Sequence, residues 1–397
     1  MSKKLKSSWS KAAGIGIMLM LGTAFGYAIG LLATKGNLLP VNNHMRPEGI
    51  GEMLWLAVVF VIALWLVLAI HELGHLLAGL AQGFRFGLYI AGPLGARNEG
   101  GATKWFLNTD FQSFGGLAAT LPRRFDEPRL THKFAWVVAA GPLSSLIWAV
   151  LAFGLAWWIE KEAVQASITT KTLVCMFSFS GLFSTIIFAV TAFPIRTKGG
   201  FMSDGARMMS LLRGGPSAAF EQAILSSIGL LAEGKRYGEF PEPIIEQLAV
   251  SADSTVMELG ALSTTMLHHL EQGRPDLAES FAHRLAAGLE DSPVFIQHAY
   301  GRELVFYFAF FEQKEAEAEA WRARIGPYAE KQADATWYRI KAALAILHGR
   351  LDEARQALDQ AKTLLPKLML SGLQRSETHW IERLEARLQS INHGHQA

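Results

Sequence analysis

The sequence predicts a mainly α-helical protein in two parts: a polytopic membrane helix bundle with a small β-hairpin element, and a C-terminal α-helical repeat domain. Three observations predict this fold class. The first half of the chain contains four long apolar segments. The net charge changes sign near residue 214. Short related motifs recur in the second half at the spacing of helix pairs.

The four apolar segments run from about 12 to 33, 53 to 82, 134 to 159 and 172 to 195. Each has the length of a transmembrane helix, for which about 20 apolar residues suffice. Four lysines precede the first segment, as in a signal peptide. Because this segment is long and no small-residue cleavage site follows it, we interpret it as a transmembrane helix.

Basic residues indicate the orientation of these helices. They cluster before the first segment, between the second and third, and after the fourth. The two remaining connections carry only Lys35, Arg46, Lys161 and Lys171. Because short cytoplasmic segments are enriched in Lys and Arg, we expect both termini in the cytoplasm. We expect an integral membrane protein of a bacterial inner membrane.

The second segment contains the motif His71-Glu72-Leu73-Gly74-His75. On a helix, residues four apart share a face, so His71 and His75 can offer two imidazole nitrogens to one metal ion. Glu72 is suited to take a proton from a water molecule at that metal. This is the H-E-x-x-H arrangement of zinc metalloproteases.

The alternative interpretation of the motif is a pair of histidines packed among helices. Across the interiors of the four apolar segments, His71, Glu72 and His75 are the only acidic, basic or imidazole side chains. Ionisable groups inside a membrane segment are costly and are usually functional. The sequence therefore predicts one Zn²⁺ ion at this motif.

A catalytic zinc site usually has three protein ligands, so one more is needed. Asp204 follows the fourth apolar segment, which runs in the same direction as the second and ends on the same side. Asp204 is also a suitable helix N-cap. Glu99, Asp110 and Asp126 are acids on that side as well. The residues alone leave these alternatives open.

Residues 83–132 are too polar to span a membrane. An alternating stretch and two turn signals predict a β-hairpin, and an ordinary cytoplasmic loop is the alternative. An exposed strand edge here would bind an extended peptide by main-chain pairing. Phe114–Leu117 is expected to form a tight apolar loop. The hairpin signals are, in order, Phe84–Ile90, Gly92–Gly95, Asn98–Gly101 and Thr103–Leu107.

The metal motif, Gly141-Pro142 in the next apolar segment and Asp204-Gly205 after the fourth together resemble the site-2 protease family of intramembrane zinc metalloproteases. The resemblance covers about residues 50–210. It implies that His71, His75 and Asp204 bind zinc, that Glu72 is the catalytic base, and that the substrates are membrane-bound proteins. It also implies a β-rich element after the motif helix.

The chain departs from the family pattern in two ways. The family commonly has an Asn a few residues before a Pro, whereas Thr191 stands three residues before Pro194 here. The segment Arg196–Met202 also lengthens the connection to Asp204. Substrate-binding residues are therefore not assigned, and no PDZ-like insert is recognised.

The charge pattern divides the chain into residues 1–214 and 215–397. The first part contains 19 Lys and Arg against 10 Asp and Glu (net +9), and the second contains 18 against 25 (net −7). An abrupt change of this kind indicates a membrane-embedded domain followed by a cytoplasmic domain. Cys175, the single cysteine, is expected to be a small core residue.

The second part reads as helix throughout. Gly273–Ala278 recurs as Gly349–Ala354, with a weaker echo at Gln313–Ala318. This spacing resembles that of tetratricopeptide repeats, and a plain helical bundle is the alternative. Stacked helix pairs form a concave surface that binds proteins, so we expect a protein partner here and no nucleic acid. Three further histidines have no ligand spacing and are expected at the surface: His268, His269 and His283.

These features together predict an intramembrane zinc metalloendopeptidase whose cytoplasmic helical domain binds a substrate or regulator. The sequence leaves two alternative functions open. One is a non-catalytic membrane scaffold that acts through the helical domain. The other is a membrane peptidase that matures a secreted peptide.

Overall fold

A computed structural model describes residues 49–109, 114–126, 129–163, 167–196, 202–250, 256–290, 292, 294–331 and 333–394. The first predicted transmembrane segment (12–33) and Asp110 lie outside these residues. The described chain is mainly helical and contains one four-stranded sheet. This confirms the predicted fold class.

The elements are labelled in chain order within the described ranges. The helices are α1 (Ile50–Ala81), α2 (Leu130–Glu162), α3 (Ile168–Ala192), α4 (Asp204–Arg213), α5 (Pro216–Ala232), α6 (Glu242–Ala249), α7 (Val256–Glu271), α8 (Pro275–Glu290), α9 (Val294–Phe306), α10 (Glu315–Lys331), α11 (Ala335–Leu347), α12 (Leu351–Leu364) and α13 (Ser371–Gly394). The strands are β1 (Arg85–Ala91), β2 (Leu94–Glu99), β3 (Ala102–Leu107) and β4 (Leu117–Leu121).

Helices α1, α2 and α3 are long and apolar enough to cross a membrane. They correspond to the second, third and fourth predicted segments, and each begins three or four residues earlier than predicted. The extra residues at the start of α2 include His132 and Lys133. Because these two are polar, a prediction based on apolar segments leaves them out. The protein is therefore an integral membrane protein.

The chain divides into two compact units. One contains the described residues up to Val67 together with Leu146–Ile186, and the other contains Leu68–Ser145 and the chain from Ile187 onward. The sequence-based boundary between residues 214 and 215 is a different division, and it stays a prediction.

In the first unit, aromatic and polar contacts join α1 to α3. The Phe60 ring packs edge-on against Phe183, with ring centroids 4.8 Å apart. Near the start of both helices, the Trp55 indole donates a hydrogen bond to the Thr172 hydroxyl over 2.8 Å. Cys175 is buried, as predicted.

The sheet is antiparallel in the order β3-β2-β1-β4. The predicted hairpin is therefore confirmed, but the sheet is larger than predicted. Leu94 and Gly95 belong to strand β2 instead of a turn, because Gly95 leaves room for the Phe106 ring on the paired strand. Phe114–Gly116 forms a turn that leads into β4, which pairs with β1 and was not predicted.

The C-terminal helices form three antiparallel pairs: α7 with α8, α9 with α10, and α11 with α12. The three related sequence motifs begin at the turns within these pairs. Gly273, Gln313 and Gly349 each adopt a left-handed backbone conformation there, with φ values of 73°, 53° and 72°. The recurring motif thus marks the point at which one helix of a pair ends and the next begins.

One large apolar cluster extends from Leu259 to Leu388 and joins these helices into a common core. Two of the three histidines expected at the surface are buried beside it: His268 and His269 lie in α7, and His268 hydrogen-bonds through Nδ1 to the Tyr237 carbonyl. The expectation that they lie at the surface was wrong, because α7 contacts neighbouring helices on several of its sides. His283 is exposed.

Helix α5 packs against the N-terminal half of the chain. Leu225 shares an apolar cluster with Phe84, Leu130 and Val137. The Glu233 carboxylate accepts a hydrogen bond from the Phe125 backbone N–H over 3.2 Å. The first of the C-terminal helices is therefore in direct contact with the segment around the sheet.

We predict that a fragment from Pro216 to the end of the chain is soluble and helical. The reason is that its main apolar cluster is drawn entirely from its own helices. Far-UV circular dichroism of the purified fragment checks this, and a matched fragment from Val256 shows whether α5 and α6 are required. A coil spectrum for both fragments would contradict the separate domain.

Candidate metal centre

Helix α1 carries His71 and His75 on one face, one helical turn apart. Their Nε2 atoms lie 3.3 Å from each other. Both side chains are shielded, and His71 is only 6% exposed. Two imidazole nitrogens therefore converge on one point, as the four-residue spacing predicts.

Contacts with α2 orient the two rings through their other nitrogens. The Nδ1–H of His75 donates to the Val137 carbonyl over 2.8 Å. The Nδ1 of His71 hydrogen-bonds to the Ser145 hydroxyl over 2.9 Å. A carbonyl can only accept, so His75 carries its proton on Nδ1 and, when neutral, has its lone pair on Nε2. Metal-ligating histidines typically make a hydrogen bond of this kind through the ring nitrogen that does not bind the metal.

Helix α4 brings a carboxylate to the same point. The Oδ2 atom of Asp204 lies 3.3 Å from His71 Nε2 and 3.5 Å from His75 Nε2. Asp204 is the first residue of α4, whereas Ser203 caps the helix by accepting a hydrogen bond from the Ala206 N–H. The N-cap alternative for Asp204 is therefore wrong, and its carboxylate faces the histidines.

The two described ends of the longer connection after α3 lie side by side. Arg196 and Met202 form an antiparallel bridge, and the Ser203 N–H donates to the Ile195 carbonyl over 3.0 Å. These contacts return the chain to the end of α3, so the extra length does not displace Asp204. Gly205 contacts the Ala192 carbonyl so closely that any side chain there would collide with it.

The geometry of the three ligand atoms fits a zinc ion. Zinc binds imidazole nitrogen and carboxylate oxygen at about 2.0–2.2 Å in a tetrahedral arrangement, which places neighbouring ligand atoms about 3.3–3.6 Å apart. The observed separations of 3.3, 3.3 and 3.5 Å match this spacing. Across the described ranges, His71, His75 and Asp204 are the one group of His, Cys, Asp or Glu residues with such convergence.

The competing acids are engaged elsewhere. Glu99 pairs with Arg97 and with Lys104, the latter over 2.8 Å. Asp126 pairs with Arg124 over 2.9 Å. Neither carboxylate lies in the metal-ligand group, and Asp110 is outside the described chain.

The ionisation state of Asp204 also suits a ligand. Burial by itself raises the pKa of this carboxyl. The hydrogen bonds and positive charge of His71 and His75 in their imidazolium form, in which Nε2 also carries a proton, more than offset that effect and hold the pKa at about 2. The Asp204 carboxylate is therefore ionised at neutral pH, which is the form that binds metals.

Glu72 lies between the histidines and strand β4. Its carboxylate accepts a hydrogen bond from the Ala118 backbone N–H. Gly116, at φ 104°, packs directly on the Glu72 side chain and has no room for a side chain of its own. Gly116 in the loop before β4 and Ala118 in β4 therefore position Glu72. The sequence did not predict this role for Gly116 or for Ala118.

Small residues allow the close helix contacts at this centre. Gly141 faces the imidazole of His75, and Gly74 faces Ala140 and Ser144 of α2. Gly141 of the Gly-Pro motif thus allows α2 to approach α1 closely. A signal for these contacts exists in the sequence, since Gly74 lies inside the metal motif and Ser144-Ser145 follows Pro142.

We predict that Gly141→Ala lowers the zinc content of the purified protein. The new methyl group would collide with the His75 ring, because a Cβ at this position points directly at it. The matched control is Gly154→Ala in the same helix, where nothing lies within 4 Å of the added atom. Equal zinc content in both variants would contradict the proposed packing.

Comparison with known proteins identifies the family. A family model of Peptidase family M50 matches residues 59–279, which is more than half of the chain and includes His71, Glu72, His75 and Asp204. No curated protein and no solved structure matches the chain. The match begins within α1 and ends within α8, so it includes the sheet and all three candidate ligands. The chain therefore belongs to Peptidase family M50, the site-2 protease family of membrane zinc metalloproteases.

Proposed function

We propose that this protein is an intramembrane zinc metalloendopeptidase that cleaves membrane-bound protein substrates. In this proposal His71, His75 and Asp204 hold one Zn²⁺ ion and Glu72 is the catalytic base. The observation that carries it is the convergence of three ligand atoms at 3.3–3.5 Å from one another beside Glu72. Family membership supports the same chemistry.

When bound, zinc supplies a Lewis acid that polarises a peptide carbonyl and lowers the pKa of a water molecule. Glu72 accepts the proton of the attacking water and passes it to the leaving amine. The Ala118 N–H hydrogen-bonds to the Glu72 carboxylate and so helps to orient it. The contacts of Val137 and Ser145 keep the two imidazoles directed at the site.

A substrate must present an extended segment at this site, because a helical peptide bond is shielded by its neighbouring turns. Strand β4 lies at one edge of the sheet and next to Glu72. Main-chain pairing along this edge would hold an unwound segment beside the catalytic base. We therefore propose β4 as the strand that receives the substrate.

We further propose that the helical region binds a protein partner, with both termini in the cytoplasm of a bacterial cell. Helices α10, α11 and α12 line an open groove of about 680 Å³. Its basic side chains are each paired with an acid, so the groove suits a mixed-charge peptide better than a polyanion. These pairs are Arg322–Glu319, Lys341–Glu330 and Arg350–Glu353.

We predict that Glu72→Gln lowers proteolysis at least about 100-fold while zinc content stays unchanged, because the base is lost and the ligands are kept. Quantitative mass spectrometry of membranes that contain either form would show substrates accumulating with the variant. A non-catalytic scaffold predicts no difference between the two. Full activity of the variant would therefore reject the catalytic role.

We predict that Asp204→Ala lowers zinc content and removes activity, since a three-ligand site would keep only two ligands. The controls are Glu99→Ala and Asp126→Ala, whose carboxylates lie in surface ion pairs and should leave zinc content unchanged. Metal analysis of the purified variants checks this. Unchanged zinc in Asp204→Ala would exclude this residue as a ligand.

A further inference from the structure

Helix α4 is anchored by an ion pair one turn after Asp204. The Arg207 guanidinium donates to the Glu221 carboxylate of α5. The same guanidinium lies 4.7 Å from the centroid of the Phe134 ring on α2. Arg207 therefore joins α4 to two other helices through a single side chain.

Glu221 is an unusual residue for the interior, at 2% exposure. Burial raises the pKa of its carboxyl, and the charge and hydrogen bond of Arg207 oppose that rise. A buried carboxylate without a partner is strongly destabilising, so the burial of Glu221 requires Arg207 to stay in place. The pair joins α4 to α5 at this position.

Residues of α2 close to Phe134 contact both His75 and helix α4. The Val137 carbonyl accepts the hydrogen bond of His75. Leu211 of α4 packs against Ala135 and Val138. One stretch of α2 therefore contacts the helix that carries the third ligand and also orients the second ligand.

We propose that Arg207 and Glu221 are positioning residues for the third metal ligand. The pair holds α4 so that the Asp204 carboxylate meets the two histidines, and a ten-residue helix has little stability of its own with which to hold that position. This inference rests on the proposed role of His71, His75 and Asp204 as zinc ligands. Glu221 belongs to α5, so the first of the C-terminal helices would help to position a metal ligand.

The test measures zinc affinity of the full-length protein in detergent, by competition with a chelator of known affinity. We expect Glu221→Gln and Arg207→Ala each to weaken zinc binding about 10-fold, the size of effect seen when a group that orients a metal ligand is lost. The matched controls are Arg213→Gln at the exposed end of α4 and Glu246→Gln at an exposed position of α6. Both should bind zinc as the wild type does.

A double-mutant cycle separates positioning from general stability. In an Asp204→Ala background, Glu221→Gln should cause no further loss of affinity, because the ligand that it positions is already absent. An equal loss in both backgrounds would overturn the proposal, as would unchanged affinity in the single variants. If Glu221→Gln does not fold, Arg207→Ala takes its place in the same cycle, with the same expected and contradicting results.

The cycle also distinguishes this inference from the proposed function. If the wild-type protein binds no zinc, or Asp204→Ala binds it normally, the proposed ligand set is wrong. If Asp204→Ala binds zinc more weakly than the wild type and the two positioning variants do not, the ligand set stands and only the role of Arg207 and Glu221 is rejected.

Discussion

The cost of placing ionisable side chains within an apolar helix governs the structure around the candidate metal centre. His71, Glu72 and His75 lie in a helix that is otherwise apolar at this depth, where an unsatisfied polar group is expensive. Each of the three has an identified polar partner. Ser145 and Val137 satisfy the imidazoles, and Ala118 satisfies the carboxylate. A metal ion would bind the Nε2 atoms of His71 and His75, which these contacts leave available.

These partners come from elements that can approach α1 only through small residues. Gly74 and Gly141 bring α1 and α2 together at the histidines, and Gly79 accommodates Thr120 of β4. Gly205 performs the same function between α4 and the end of α3. Larger residues at these positions would separate the backbones and move the hydrogen-bonding groups out of reach.

The C-terminal half is joined to this centre by direct contacts. Helix α5 packs Leu225 against Phe84 and Val137, and its Glu221 pairs with Arg207. The turn at Gly100 in the sheet contacts the Pro366 carbonyl after α12. The helical region therefore contacts both the sheet that contains β4 and the helix that carries Asp204.

The sequence by itself determined the apolar spans, the two histidines with their glutamate, and the helix-pair repeat, because each depends on local spacing and composition. It left four acids open as the third ligand, and only the tertiary structure placed Asp204 at 3.3 and 3.5 Å from the histidines while putting Glu99 and Asp126 in ion pairs. It also missed strand β4 and the burial of His268. These features depend on residues that are distant in the chain and meet only after the helices pack, and local periodicity carries no information about such contacts.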